Sequence, residues 1–354
     1  IEVALWDLAG KAYDVPVYQM LGGKFRDEVR VYCDTDIEGR HTGSDMGNAL
    51  RRRMEAGFTF LKMDLGLGLL LDVPGTVQAP LGFLDALKER SPQTIRTARG
   101  SKTREELRRE AYELASIAHP FTGMQITDKG LDLLESYVAA VREVIGSDVP
   151  LAVDHFGHFG VESAIRFARR MEPHAIAWVE DMIPWQMTEQ YVRLKHATTV
   201  PVCTGEDIYL KENFETLIDA DGVSVIHPDV LTAGGILETK KIGDLAYEHG
   251  VATALHMAES PIGYFAAIHA AAAIPQILAV EFHSADVPWW DDLVNGPAKP
   301  IVHNGFTRVP DAPGLGIESL NEELIAQHIH PDLPGQWEPT DQWDNEWSHD
   351  RLWS

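Results

Sequence analysis

The chain has 354 residues, 45% hydrophobic and 24% charged, a balance that excludes disordered, collagenous and coiled-coil classes. Lys and Arg number 30 against 54 Asp and Glu, a formal net charge of −24. Such a surface repels nucleic acid and anionic membrane over a Debye length of about 8 Å, so neither is expected as a partner. Cys33 and Cys203 lie in apolar, strand-like runs and read as buried thiols, not as a disulfide framework.

No apolar stretch approaches the ~20 residues that span a bilayer, and no basic leader opens the chain; a cytoplasmic location is expected. Ile1, Leu5, Leu8 and Ala12 follow helical spacing with no capping residue before them, so further residues are expected upstream. The length suits roughly two domains, or one large barrel with appendages.

From residue 29 the pattern is a short β-rich run, then a helical run, repeated. The predicted strands are Val29–Thr35, Phe58–Leu65, Pro150–Phe156, Ala175–Asp181, Val200–Asp207, Val223–Leu231, Val251–Met257 and Ile277–His283. The predicted helices are Asn48–Gly57, Thr127–Gly146, Val161–Glu172, Thr188–Ala197, Lys211–Asp219, Gly235–His249 and Pro261–Ile274. Near-continuous apolar strands are expected of a parallel sheet buried on both faces. Eight β/α units over roughly 250 residues are the size of a closed barrel, with an open doubly wound sheet as the alternative.

The connection around 66–126 breaks the rhythm. It holds a capping box at Thr103 and Glu106, and reads as a lid, a specificity loop or an oligomer contact. The stretch 305–354 is a C-terminal segment and a tail that carries Trp337, Trp343, Trp347 and Trp353. That tail is expected to pack on the barrel or on a neighbouring subunit, with aromatic substrate capture as the other reading.

The acidic residues carry the chemistry. Asp154, Glu180 and Glu206 each end a predicted strand, at two equal steps of 26 residues. On successive β/α units this sets three carboxylates at one height around the mouth. Three converging like charges need a cation, and an all-oxygen set with room for waters suits Mg²⁺. The competing reading is that such acids merely cap the following helices. Asp229 (IHPDVL) and His256 (ALHM) end the sixth and seventh strands, where a carboxylate can fix the tautomer of an imidazole base. His227, two residues before Asp229, is placed deeper. Lys62 and Asp64 share a strand face that points into the mouth. There the ammonium needs a substrate carboxylate or a neighbouring Asp. Glu281 ends the eighth strand (AVEFH), as a donor if protonated and otherwise an acceptor for a substrate hydroxyl.

These residues resemble the enolase superfamily and, within it, the mandelate racemase-like subgroup. ALWDLAGK with PVYQMLGG at the start, HPDVLTAGGI, LHMAES and PDAPGLGIE extend the likeness over nearly the whole chain. The resemblance implies an α/β fold, a modified TIM barrel of (β/α)7β form, with residues 1–28 as the junction to a capping domain that precedes Ile1 and 29–304 as the barrel. It implies Asp154, Glu180 and Glu206 as Mg²⁺ ligands and Asp229 with His256 as the catalytic dyad. Lys62 is then a catalytic contact to the substrate carboxylate, and Glu281 matches the eighth-strand glutamate. The late segment at 310–318 is expected to return to the capping domain. The family's K-x-K motif is K-x-D here, so the second lysine is replaced by Asp64 and a two-base racemase is disfavoured. His155 and His158, beside Asp154, are further candidates for acid/base or substrate contact.

The expected activity is dehydration of a sugar acid to a 2-keto-3-deoxy acid. His256 takes the α-proton, while Mg²⁺ and Lys62 balance the ene-diolate charge. Asp64, Glu281, His155, His158 and Asp207 would read substrate hydroxyls. The alternatives are an epimerase, racemase or cycloisomerase with the same intermediate, a metal-dependent hydrolase, or a binding protein without catalysis. The expected partners are a small-molecule carboxylate and further copies of the chain in a homo-oligomer.

Overall fold

The computed structural model describes residues 1–36, 40–85, 121–154, 156 and 159–329. The capping box at Thr103 and Glu106, the four tail tryptophans, His155 and His158 lie outside the described residues.

Eight parallel strands appear where the apolar runs predict them: β1 (Glu28–Cys33), β2 (Leu61–Asp64), β3 (Leu151–Asp154), β4 (Ile176–Glu180), β5 (Val202–Thr204), β6 (Val225–Ile226), β7 (Ala252–Thr253) and β8 (Val280–Phe282). Each pairs with the next in sequence, and β1 pairs with β8. A parallel bridge from Leu255 to Val280 joins β7 to β8 and closes the ring. The closed barrel, not the open sheet, is the architecture.

The strands are buried on both faces. Outward, Val31, Leu61, Val153, Val179, Val202, Ile226 and Val280 pack beneath the helices. Inward, Tyr32, Phe60, Ala152, Trp178, Cys203, Val225, Ala254 and Ala279 form a second apolar cluster inside the ring. Trp178 meets Phe60 edge-on at 4.9 Å between centroids. Small side chains on β3, β7 and β8 leave room for this aromatic plug.

The helices are α1 (Gly43–Glu55), α2 (Asp128–Ile145), α3 (Val161–Met171), α4 (Thr188–Ala197), α5 (Lys211–Asp219), α6 (Ile236–Glu248) and α7 (Pro261–Ala273). Thr127 caps α2 as predicted, accepting the Gly130 N–H at 3.2 Å. Helix α1 starts five residues before its predicted start, with Thr42 accepting the Asp45 N–H at 3.1 Å. Gly43 and Gly47 lie where α2 approaches. A Cβ on Gly43 would run into the Tyr137 carbonyl, and one on Gly47 would lie 2.7 Å from Val144 Cβ.

The N-terminal helix Glu2–Tyr13 forms where the spacing predicts it, with no side-chain cap. Ile1, Leu5 and Leu8, the predicted apolar stripe, face solvent, and the helix buries Val3 and Gly10 instead. The late segment packs against this helix: Leu315 N–H donates to Asp7 at 2.9 Å, and Gly314 pairs with Pro16. Beyond the helix, Arg26 caps the end of α7, donating to the carbonyls of Ile274 at 2.7 Å and Pro275 at 2.8 Å. In the insertion, the described residues form a short helix, Leu67–Leu70, and a two-stranded ladder of Val77–Gln78 with Gln125–Ile126. Among the described residues, no helix is long and apolar enough to cross a membrane.

Two stability predictions follow from this packing. Gly43→Ala should cost about 1–3 kcal/mol in urea unfolding, because the α1–α2 contact cannot admit a methyl group. The second concerns His269, buried on α7, which accepts the Tyr18 N–H at Nδ1 over 3.2 Å. Burial pushes its pKa down to about 4. The unfolded chain therefore takes up a proton near pH 6.5 that the folded chain refuses until about pH 4. Stability is fully present above that window and falls as pH drops through it. His269→Gln should lose less stability over the window than the parent, by about 3 kcal/mol; equal losses would contradict the assignment.

Candidate active site

Side chains alternate along a strand, so positions two apart share the inward face. Above the apolar plug this brings Lys62 and Asp64 in from β2, Asp154 from β3, Glu180 from β4, and Glu281 from β8. Glu206 follows β5 after Gly205, whose φ is +152° and whose added Cβ would lie 2.8 Å from the His227 backbone. Glycine thus lets the chain turn close against β6.

Asp154, Glu180 and Glu206 come together as their spacing predicts. One carboxylate oxygen from each lies within 4.8 Å of the others. Burial first, then the charges of Asp154 and Glu180, push the Glu206 carboxyl up to about 7 against the opposing pull of His256 and Lys62. A hard, all-oxygen donor set crowded enough to disfavour its own charge fits a divalent cation such as Mg²⁺.

The dyad is set by register. Val225 pairs with Ala252 and Ile226 with Thr253, and the same offset carries Asp229 beside His256 in an isolated parallel bridge. His256 Nδ1 is 2.8 Å from Asp229 Oδ2. Its Nε2 faces the pocket, 3.4 Å from Glu206 and 3.9 Å from Glu281. Burial alone would push this imidazole down; Glu206, the Asp229 hydrogen bond and Glu281 together hold it well above its ordinary value.

Lys62 is deeply buried, with its side chain 1% exposed. Its Nζ lies 2.9 Å from Asp154, 2.9 Å from Glu180 and 2.8 Å from Glu281. Burial would raise Glu281, but Lys62, His283 and His256 outweigh it and hold the carboxyl well below its usual range. Of the two states open to Glu281 in the sequence, these neighbours favour the ionised one. Asp64 pairs in register with Asp154 at the rim. His227 is fully buried beneath the dyad, as expected. Its Nε2 meets the Tyr32 hydroxyl, and its Nδ1 lies 3.0 Å from Glu180.

Sequence reasoning missed three groups. Trp178 donates its indole N–H to Glu180 Oε2 at 2.6 Å. His283 reaches Glu281 at 3.1 Å and Asp34 at 3.5 Å. Alternation pointed to each: Trp178 lies two residues before Glu180, and His283 two beyond Glu281. Asp34 lies just past β1, in a run that was read only as a strand.

Residues 45–324 match the family described as Enolase C-terminal domain-like. The chain belongs to the enolase superfamily. Within it, the chain is mandelate racemase-like. A mandelate racemase/muconate lactonizing enzyme-like protein from Rubrobacter xylanophilus superposes with a TM-score of 0.74 at 30% identity, over 94% of this chain and 76% of that one. Among named relatives, D-xylonate dehydratase of Haloferax volcanii is 33% identical over 330 residues, 93% of this chain and 68% of that protein. D-gluconate dehydratase of Thermoproteus tenax is 26% identical over 93% of this chain, which spans about half (55%) of that relative. The enolase superfamily barrel, with its ring of inward acids, is thus the frame in which these residues sit.

The dyad makes its own prediction. Asp229→Asn removes a negative charge 2.8 Å from the His256 ring. In an NMR titration the imidazole should then titrate lower, by about one unit or more. An unmoved His256 would contradict the pairing.

Proposed function

We propose that this protein dehydrates a sugar acid, taking the proton α to the carboxylate and expelling the neighbouring hydroxyl to give a 2-keto-3-deoxy acid. The observation that carries this is the position of His256. Its Nδ1 is held by Asp229 at 2.8 Å, while its free Nε2 looks across the pocket toward Glu206 at 3.4 Å. A base oriented by a carboxylate and aimed at a cation-binding trio is what abstraction beside a carboxylate requires. The named dehydratase relatives support the same chemistry.

Asp154, Glu180 and Glu206 would hold Mg²⁺. When bound, the cation supplies charge against the carbanion left by proton removal and offsets the Glu206 charge that otherwise keeps His256 protonated. Lys62 supplies the second positive charge at the base of the pocket and holds Glu281 ionised as a hydroxyl acceptor. Asp64, in place of a second lysine, leaves the opposite face of the α-carbon without that base, which favours elimination over racemisation.

The test is turnover of D-xylonate, D-gluconate and D-galactonate with Mg²⁺, read as a keto acid trapped by semicarbazide. Chelation should abolish it and added Mg²⁺ restore it. His256→Asn should lower it by about 100-fold or more. An altered sugar acid with no keto product would point instead to an epimerase. Full activity in His256→Asn would refute the base.

A further inference from the structure

The barrel holds a second Asp–His pair at a matching strand junction, with a longer Asp–His contact and with Glu281 at the other ring nitrogen. Val31 pairs with Val280, Tyr32 with Glu281 and Cys33 with Phe282. The same offset carries Asp34 of the β1 end beside His283 of the β8 end. The Asp34 N–H donates to the Phe282 carbonyl at 3.3 Å, so the ladder continues to that level. His283 Nδ1 lies 3.5 Å from Asp34 and Nε2 lies 3.1 Å from Glu281. Strands β6, β7, β8 and β1 are consecutive around the ring, so two imidazoles stand side by side with an aspartate outside each. The ring centroids of His256 and His283 are 5.9 Å apart.

We propose that His283 is the general acid that protonates the departing hydroxyl, as His256 is the base that takes the α-proton. The inference rests on the dehydratase reading above. Two imidazoles about 6 Å apart, each with a hydrogen-bond reach of about 3 Å, can serve adjacent carbons of one substrate. Hydroxide is a poor leaving group, and among the described residues Lys62 and Glu281 suit the task less well. Lys62 is buried against three carboxylates. Glu281 is held ionised by Lys62, His283 and His256 against burial. His283 is 31% exposed at the rim, where solvent can reprotonate it, and Glu281 first, then Asp34, favour its cationic form against burial.

The protons balance as follows. His256 takes the C2 proton, the electron pair enters the C2–C3 bond, and the C3–O bond breaks. His283 gives its proton to the leaving oxygen, which departs as water. The enol then becomes the ketone: His256 returns its proton to C3, the enol hydroxyl gives its proton to solvent, and solvent reprotonates His283.

The test is His283→Asn with Mg²⁺ in deuterated water, beside wild type and His256→Asn, on the aldonate that wild type turns over. Keto-acid formation should fall by about 100-fold or more while exchange of the C2 proton for deuterium continues. His256→Asn should lose both. With the 3-deoxy-3-fluoro analogue, whose fluoride needs far less protonation, His283→Asn should approach the wild-type rate, a rescue that a merely structural role would not give. Wild-type dehydration by His283→Asn, or loss of exchange and of fluoride release together, overturns the proposal. A wild type that neither exchanges nor dehydrates any of the three aldonates overturns the dehydratase reading, and this inference with it.

Discussion

One buried ammonium ties together the carboxylates inside this barrel. Lys62 lies within 3 Å of Asp154, Glu180 and Glu281 in a space closed below by Trp178, Tyr32 and Phe60. Several kcal/mol of desolvation attend each ion taken from water, and an ion pair recovers that only with close partners. Here one cation answers three anions, two of which also belong to the proposed cation site. The layer above the plug is therefore only partly compensated by Lys62, which with His283 and His256 favours the ionised form of Glu281 where burial alone would protonate it.

Strand register does the rest. Parallel neighbours keep a constant offset, so a residue type at a strand end has a predictable partner on the next strand. Asp229 finds His256 this way, and Asp64 finds Asp154. The catalytic-end side chains stand at comparable depth because the ring beneath them is regular, while the ends themselves leave the ladder. Only a two-residue pairing core remains in β6 and β7, shorter than the apolar runs predict. Beyond it the same offset continues only as an isolated bridge, Asp229 to His256, which alternation and hydropathy cannot distinguish from a continuing strand.

Much of this was legible because the acids sit at equal steps on an alternating pattern. The order of strands, the carboxylate trio and the Asp229–His256 dyad could all be read from spacing. What escaped was contact that depends on a distant strand. Asp34 and His283 come together only when the first and last strands meet, and no local pattern announces that. The predicted start of α1 fell five residues late for a related reason: Gly43 and Gly47 serve the approach of α2. The N-terminal stripe announced a helix, but periodicity does not say which face the rest of the chain will cover. There Gly10 and Val3 meet the chain, and the leucines do not.

The seam between β1 and β8 also bears on how the chain folds. Its partners are 249 positions apart in Tyr32 and Glu281, far beyond the 27 that separate the β6 and β7 partners. Bringing such remote segments together carries the greatest loop-closure entropy of any strand pair in the ring. Until that happens, β1 and β8 present open backbone edges, the feature that invites pairing with another chain. Closing the seam removes both edges and sets Asp34 against His283, so that contact is a local sign that the ring is complete.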